Sequence, residues 1–240
     1  MAGETIRTEA ICLSIRPWSQ TSHVVAWLTP SGKVSTVVKG AVRPKSQFLG
    51  QYDLNYTCEI LYYARAKGEL HILREACPVA LRENLRQSYR ALALADYFRS
   101  LVQELAPAGA ECRAWYEALA RALDACQGVA GGSQAESALV LLVRFELEVL
   151  RLSGLSPDFA GYDLTQDWMS FDVESGAFVE EASGRLLRVE RAVAEFLRNP
   201  QANPQNAKIP LDAARVIGVF YTFHLDCASD VRRTVLRVIS

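Results

Sequence analysis

Lys39, Arg43 and Lys45 fall within seven residues of one another, on the stretch Gly40-Ala-Val-Arg-Pro-Lys-Ser46. Gly and Pro make this a loop rather than a strand or helix. Three cations on one loop suit contact with phosphate, where Arg bonds two oxygens and Lys acts as a mobile point charge. Such contacts hold a polyanion without reading its sequence. Arg16, Lys33, Arg65 and Lys67 are nearby supporters, although each can equally be a solvated surface charge. Trp18, in the turn Arg16-Pro-Trp-Ser19, is the aromatic best placed to stack on a base. Tyr52, Tyr56 and Tyr63 are further candidates, but aromatics in small β-structures often serve as core or cross-strand partners. Trp27 lies inside an apolar run and reads as core.

Other chemistries find little support. His23, His71 and His224 are far apart in sequence, with no acidic pair at ligand spacing. There is no Gly-x-Ser-x-Gly elbow, Walker-type loop or Gly-x-Gly-x-x-Gly. Cys12, Cys58, Cys77, Cys112, Cys126 and Cys227 include no Cys-x-x-Cys pair. They read as small apolar residues in a reducing cytoplasm. No charged-then-apolar leader is seen, and Arg144, Glu146 and Glu148 break the apolar stretch 138–150, so no membrane span is expected. An enzyme is not expected, although catalytic groups can assemble from distant positions.

The net charge of −1 conceals an asymmetry. Residues 1–90 carry twelve Lys and Arg against seven Asp and Glu, whereas 91–240 carry fourteen against twenty. Four of the five lysines (Lys33, Lys39, Lys45 and Lys67) lie in the basic front part, which favours an anionic polymer there. The acidic remainder suits a protein partner, or the asymmetry is only a solubilising surface.

The elements that must position these residues change character near residue 80. Five β-rich runs precede it: 8–15, His23–Thr29, Lys33–Lys39, 52–64 and 69–76, with Pro30-Ser31-Gly32 turning a hairpin. Their spacing suits a small OB-type or SH3-like barrel, and the pattern does not separate the two. Helical periodicity follows over Glu83–Leu105, Glu111–Ala125 and Ser137–Leu152, the last apolar almost all round and stopping at Gly154. Segments 168–173 and 177–180 read as a hairpin around Glu-Ser-Gly176. Helices are predicted at 188–198 and 211–226, with a short amphipathic segment at 230–239.

The run Glu9-Ala-Ile-Cys-Leu13, then His23–Thr29, Ser31-Gly-Lys33 and Val38-Lys-Gly-Ala-Val-Arg-Pro-Lys-Ser46, resembles the N-terminal part of the RecO family, with its "KGARRPKS"-like loop. Leu152-Ser-Gly-Leu-Ser-Pro157 resembles the helix end in the middle of that family. The expected architecture is α+β: an OB-type barrel of five strands over 1–80, then a helical domain over 81–240 with a hairpin insertion at about 155–184. Many relatives carry a cysteine zinc module after that Pro. Here the positions after Pro157 read Asp-Phe-Ala-Gly-Tyr162, and no cysteine lies between Cys126 and Cys227. A structural zinc site needs about four Cys or His ligands, so no zinc is expected, and Trp168, Phe171 and Phe178 are expected to hold the hairpin.

The resemblance implies a DNA-binding recombination mediator. It would bind single- and double-stranded DNA, anneal complementary strands, and work with a RecR-like protein to load RecA onto strands coated by single-strand-binding protein. It also implies recognition of that protein's acidic, Phe-ending C-terminal tail. Arg144 and Arg151, seven residues apart on one helix face, fit such a site, or Arg144 simply pairs with Glu148. The rival reading is a repair adaptor that binds proteins and touches DNA weakly.

Overall fold

The computed structural model describes residues 4–65, 70–129, 137–160, 166–179, 184–204, 206–225 and 229–239. Strands β1 (Thr5–Ser19), β2 (Ser22–Thr29), β3 (Gly32–Val38), β4 (Thr57–Tyr63) and β5 (Leu70–Ala80) close a barrel in the order β1-β2-β3-β5-β4. The long β1 serves two neighbours. Its first half pairs with β4, from Thr5 opposite Tyr63 to Ile11 opposite Thr57. Its second half pairs with β2, from Ile11 opposite Leu28 to Ser19 opposite Ser22. The register shifts between Cys12 and Ser14, the kind of bulge that lets one strand bend around a barrel. β3 and β5 pair in parallel and close the ring. This is the five-stranded OB arrangement.

Side chains alternate across the barrel wall because strand residues point to opposite faces. Ala10, Cys12, Val25, Trp27, Val38, Cys58 and Ile60 fill the interior. Trp27 donates Nε1–H to Thr36 Oγ1 at 2.9 Å, so the buried indole keeps a partner. Ile11, Leu13 and Leu28 point outwards into the core of the helical half. The expected strand at 52–64 begins only at Thr57, because Asn55 adopts φ 67° and turns the chain.

The helical half holds α1 (Tyr89–Leu105), α2 (Arg113–Val129), α3 (Ala138–Leu152), α4 (Arg191–Arg198), α5 (Lys208–His224) and α6 (Ser229–Ile239). The periodic run from Glu83 is not one helix. Glu83–Gln87 forms a 3-10 turn, and Ser88 starts α1 by accepting the Ala91 N–H. Helix α3 is buried on most of its surface, as its composition predicts. At its end Leu155 N bonds Leu150 O and Gly154 N bonds Arg151 O, with Gly154 at φ 73°. This double closure favours a glycine because its left-handed backbone penalises a Cβ. Pro210 lies in the first turn of α5, where no internal N–H bond is lost.

One charge is fully enclosed. Glu146 on α3 has no exposed surface and accepts Nε and Nη2 of Arg232 on α6 at 2.7 and 2.9 Å. Tyr97 Oη donates to the same carboxylate at 2.6 Å. Burial and the adjacent carboxylate push the Tyr97 phenol well above its ordinary range. Gly218 on α5 leaves the room this guanidinium needs, since a Cβ there would come within 2.3 Å of Arg232 Nη1.

The insertion holds the expected hairpin, and a third strand joins it to make a sheet. β6 (Trp168–Asp172) lies between β7 (Ala177–Val179) and β8 (Leu186–Glu190). Residues 188–190, expected to open a helix, instead form the end of β8, and α4 begins at Arg191. Phe171 is buried against Phe159, Phe178 and Phe220, with ring centroids 5.4, 5.5 and 6.2 Å away. Trp168 is not part of this cluster: it is 44% exposed, with the Arg188 guanidinium over its ring at 4.8 Å. Asp158, Phe159 and Ala160 follow Pro157, and Phe159 is buried in the aromatic cluster. Phe159, Phe171 and Phe178 offer carbon rings and neither sulfur nor imidazole, so these residues do not fit zinc.

Candidate nucleic-acid interface

The basic loop is held from beneath. Ala41, Phe48 and Tyr52 are buried and plug the end of the barrel. Between these anchors the backbone runs through tight turns. Arg43 N bonds Gly40 O at 3.2 Å, Ser46 N bonds Arg43 O at 2.9 Å, and Gln51 N bonds Phe48 O at 3.1 Å. Gly40 supplies the φ of 67° for the first turn, and Val42 N ties the loop to Thr21 O in the β1–β2 turn. Further on, Gln47 Nε2 reaches Arg74 O on β5 at 2.9 Å. The apolar residues thus fix the loop, while Val42, Arg43, Pro44 and Lys45 face solvent.

The neighbouring barrel wall continues this surface. Arg16 lies opposite Val24, and Val24 opposite Val37, so the three share the outer face of β1, β2 and β3. Lys39 leaves the end of β3 beside them, exposed. Trp18 follows Arg16 where the register shifts again, and is 63% exposed. The structure therefore brings Arg16, Trp18, Lys39, Arg43 and Lys45 to one end of the barrel. Arg74, Val42 and Leu49 are also exposed there. Sequence reasoning passed over all three, although strand alternation in β5 signals the outward Arg74.

The charges on this surface are not neutralised from within. Among the described residues, Arg16, Lys39, Arg43 and Lys45 form no ion pair. Three acids of this half are engaged elsewhere: Glu59 and Glu75 with Arg7 at 2.5 and 3.3 Å, and Asp53 with Arg86 at 2.7 Å. Unpaired cations on a fixed loop beside an exposed indole can bind phosphates and stack a base.

Other sequence candidates lie apart. Lys33 is half-buried and donates Nζ–H to Gln103 O of α1 at 3.1 Å, so its charge turns towards the helical half. Arg65 is exposed beyond β4, near the start of β5, where Leu70 stands opposite Ser35 of β3, four residues from Lys39. Lys67 lies outside the described residues.

Arg144 and Arg151 do share one concavity of about 430 Å³, walled also by Leu147, Phe159 and Leu197. Glu148 pairs with Arg151 rather than Arg144, through two bonds of 2.9 and 3.0 Å. That pairing lowers the Glu148 carboxyl below its ordinary range and raises the Arg151 guanidinium. Arg144 donates Nε–H to Pro200 O and Nη2–H to Gln201 O.

A closed five-stranded barrel in the OB order, followed by a helical half, defines the class as an OB-fold protein. The family model described as "Recombination protein O N terminal" matches residues 1–82, and "Recombination protein O C terminal" matches 86–228. The chain is 29% identical over 214 residues to the DNA repair protein RecO of Roseiflexus sp. (strain RS-1), covering 85% of this chain and 72% of that protein. It is 26% identical over 187 residues to the DNA repair protein RecO of Alkaliphilus metalliredigens (strain QYMF), covering 75% and 72%. The chain belongs to the RecO family. It is a mediator of DNA repair and recombination of that family, not an enzyme. No helix among the described residues is long and apolar enough to cross a membrane.

Proposed function

We propose that the chain binds single- and double-stranded DNA through the loop cations Lys39, Arg43 and Lys45, with Arg16 beside them and Trp18 stacking on an unpaired base. Neutralising phosphates lowers the repulsion between two complementary strands, so they approach and anneal without any bond being made or broken. In the same reading the protein works with a RecR-like partner to load RecA onto strands coated by single-strand-binding protein. The observation that carries it is the set of exposed cations on an anchored loop with no carboxylate partner among the described residues.

The concavity of Arg144 and Arg151 is the proposed seat for the acidic C-terminal tail of single-strand-binding protein. Apolar walls of Leu147, Phe159 and Leu197 suit an aromatic terminus, and the guanidiniums suit its carboxylates. Glu148 already holds Arg151, so a tail carboxylate would compete with it. The test is annealing of complementary labelled strands, bare and coated, with and without the protein. Faster annealing that declines steeply with salt supports the mediator. Absence of DNA binding at low salt, with retained binding of the tail peptide, would move the assignment to an adaptor.

A further inference from the structure

The helical half carries a second exposed aromatic–cation surface, and Arg86 joins its start to the connection that holds the basic loop. Arg86, in the 3-10 turn before α1, donates to Asp53 Oδ2 at 2.7 Å and to Tyr56 Oη at 3.0 Å, just past the loop's last buried anchor, Tyr52. That ties the start of α1 to the far end of the loop. Three residues on, Tyr89 opens α1 with 73% of its surface exposed, more than any other exposed large apolar or aromatic residue described. Arg90 uses only Nε, on Val238 O of α6 at 3.0 Å. The same contact brings up the last turn of α6, where Arg237 is exposed. Neither Arg90 nor Arg237 pairs with a carboxylate among the described residues, whereas Arg233, one turn earlier on α6, is held by Asp230 at 3.3 Å.

An exposed ring together with guanidiniums that meet no carboxylate is the chemistry that grips single-stranded nucleic acid, by stacking on a base and contacting phosphates. Core packing does not account for Tyr89, because 73% of its surface stays exposed. We infer that Tyr89, Arg90 and Arg237 form an extension of the DNA path, on which a single strand leaving the basic loop passes over the Arg86 turn and onto the helical half. The inference rests on the DNA-binding reading of the loop and adds a second contact region to it. The barrel end holds the first nucleotides, and the α1–α6 surface holds those that follow. The extension lengthens the occupied site beyond what the barrel alone covers.

The test uses the full chain with two labelled oligothymidylates, one of about 6 nucleotides and one of about 30, spanning the range of OB-fold site sizes. Tyr89→Ala and Arg237→Gln are each compared with the unmodified protein. Both side chains are exposed, so the melting temperature is expected to hold, and Tyr89→Ala leaves the α6 contacts untouched. The expected result is a loss of roughly 5- to 150-fold on the long strand for Tyr89→Ala, the range set by one base stack, and little change on the short one. Arg237→Gln is expected to weaken the long strand and flatten its salt dependence by about one phosphate contact. Equal binding of the long strand by folded Tyr89→Ala and unmodified protein overturns the extension. If Lys39→Ala with Arg43→Ala and Lys45→Ala still weakens binding in that case, the loop reading survives alone. No binding of either strand by the unmodified protein overturns both.

Discussion

Replacing Lys39, Arg43 and Lys45 together with Ala removes three exposed charges from a loop whose conformation does not depend on them. The turns are closed by backbone bonds, and the anchors are Ala41, Phe48 and Tyr52, so the variant is expected to fold and melt as the unmodified protein does. Because none of the three pairs with a carboxylate among the described residues, no internal ion pair is lost. If each contacts one phosphate of a single strand, each contributes about 0.7 to the slope of log affinity against log salt, so the slope falls by roughly 2. Between 50 and 200 mM salt, the affinity ratio of unmodified protein to variant then shrinks by about 20-fold. The gap is widest at low salt. Fluorescence polarisation with a labelled single strand across that range measures both affinity and slope. The weakening should be similar for unrelated sequences, because phosphate contacts do not read bases. A folded triple variant with unchanged affinity and slope would refute the loop assignment. A change confined to one base composition would refute the phosphate mechanism.

Trp18→Ala should leave stability within about 0.5 kcal/mol, since the indole is largely exposed. It should weaken single-strand binding by about 1–3 kcal/mol, with little effect on duplex, as polarisation with both probes will tell. Gly218→Ala places a Cβ against Arg232 and disturbs its pairing with buried Glu146. Breaking a buried pair costs about 3–5 kcal/mol, so a drop in the urea midpoint is expected, and an unchanged midpoint would mean that the guanidinium finds another seat. In the 155–184 insertion, Phe171→Ala should cost about 3–5 kcal/mol by emptying the aromatic cluster. A metal chelator should leave the unmodified melting temperature where it was, and a chelator-induced fall would contradict an aromatic rather than metal-bound module.

The two halves, the strand hairpin at Pro30-Ser31-Gly32, the buried α3 and its Gly154 stop were legible because each depends on local chemistry: turn residues, hydrophobic period and a left-handed cap. The basic loop was legible for the same reason, as three cations between Gly and Pro. Periodicity erred where short elements meet. It ran a helix through Glu83–Gln87, where Ser88 caps the chain anew, and through residues 188–190, which a strand partner claims. Single-sequence pattern carries no record of which strand lies alongside.

Tertiary structure decided which charges remain available. Lys33 and Lys39 lie six residues apart on the same outer face of the barrel, yet α1 offers Lys33 a carbonyl while Lys39 meets solvent. Arg7 and Arg16 belong to one strand, and only Arg7 has carboxylates across the ladder. Tyr89 lies in the helical stretch Glu83–Leu105, yet it stands exposed at the first turn of α1. The sequence by itself determined the fold class and the cationic loop, through apolar periods and turn chemistry that act over a few residues. Arg7 and Lys33 are engaged by partners more than fifty residues away along the chain. Only the closed barrel and its packed helices bring those partners within hydrogen-bonding distance.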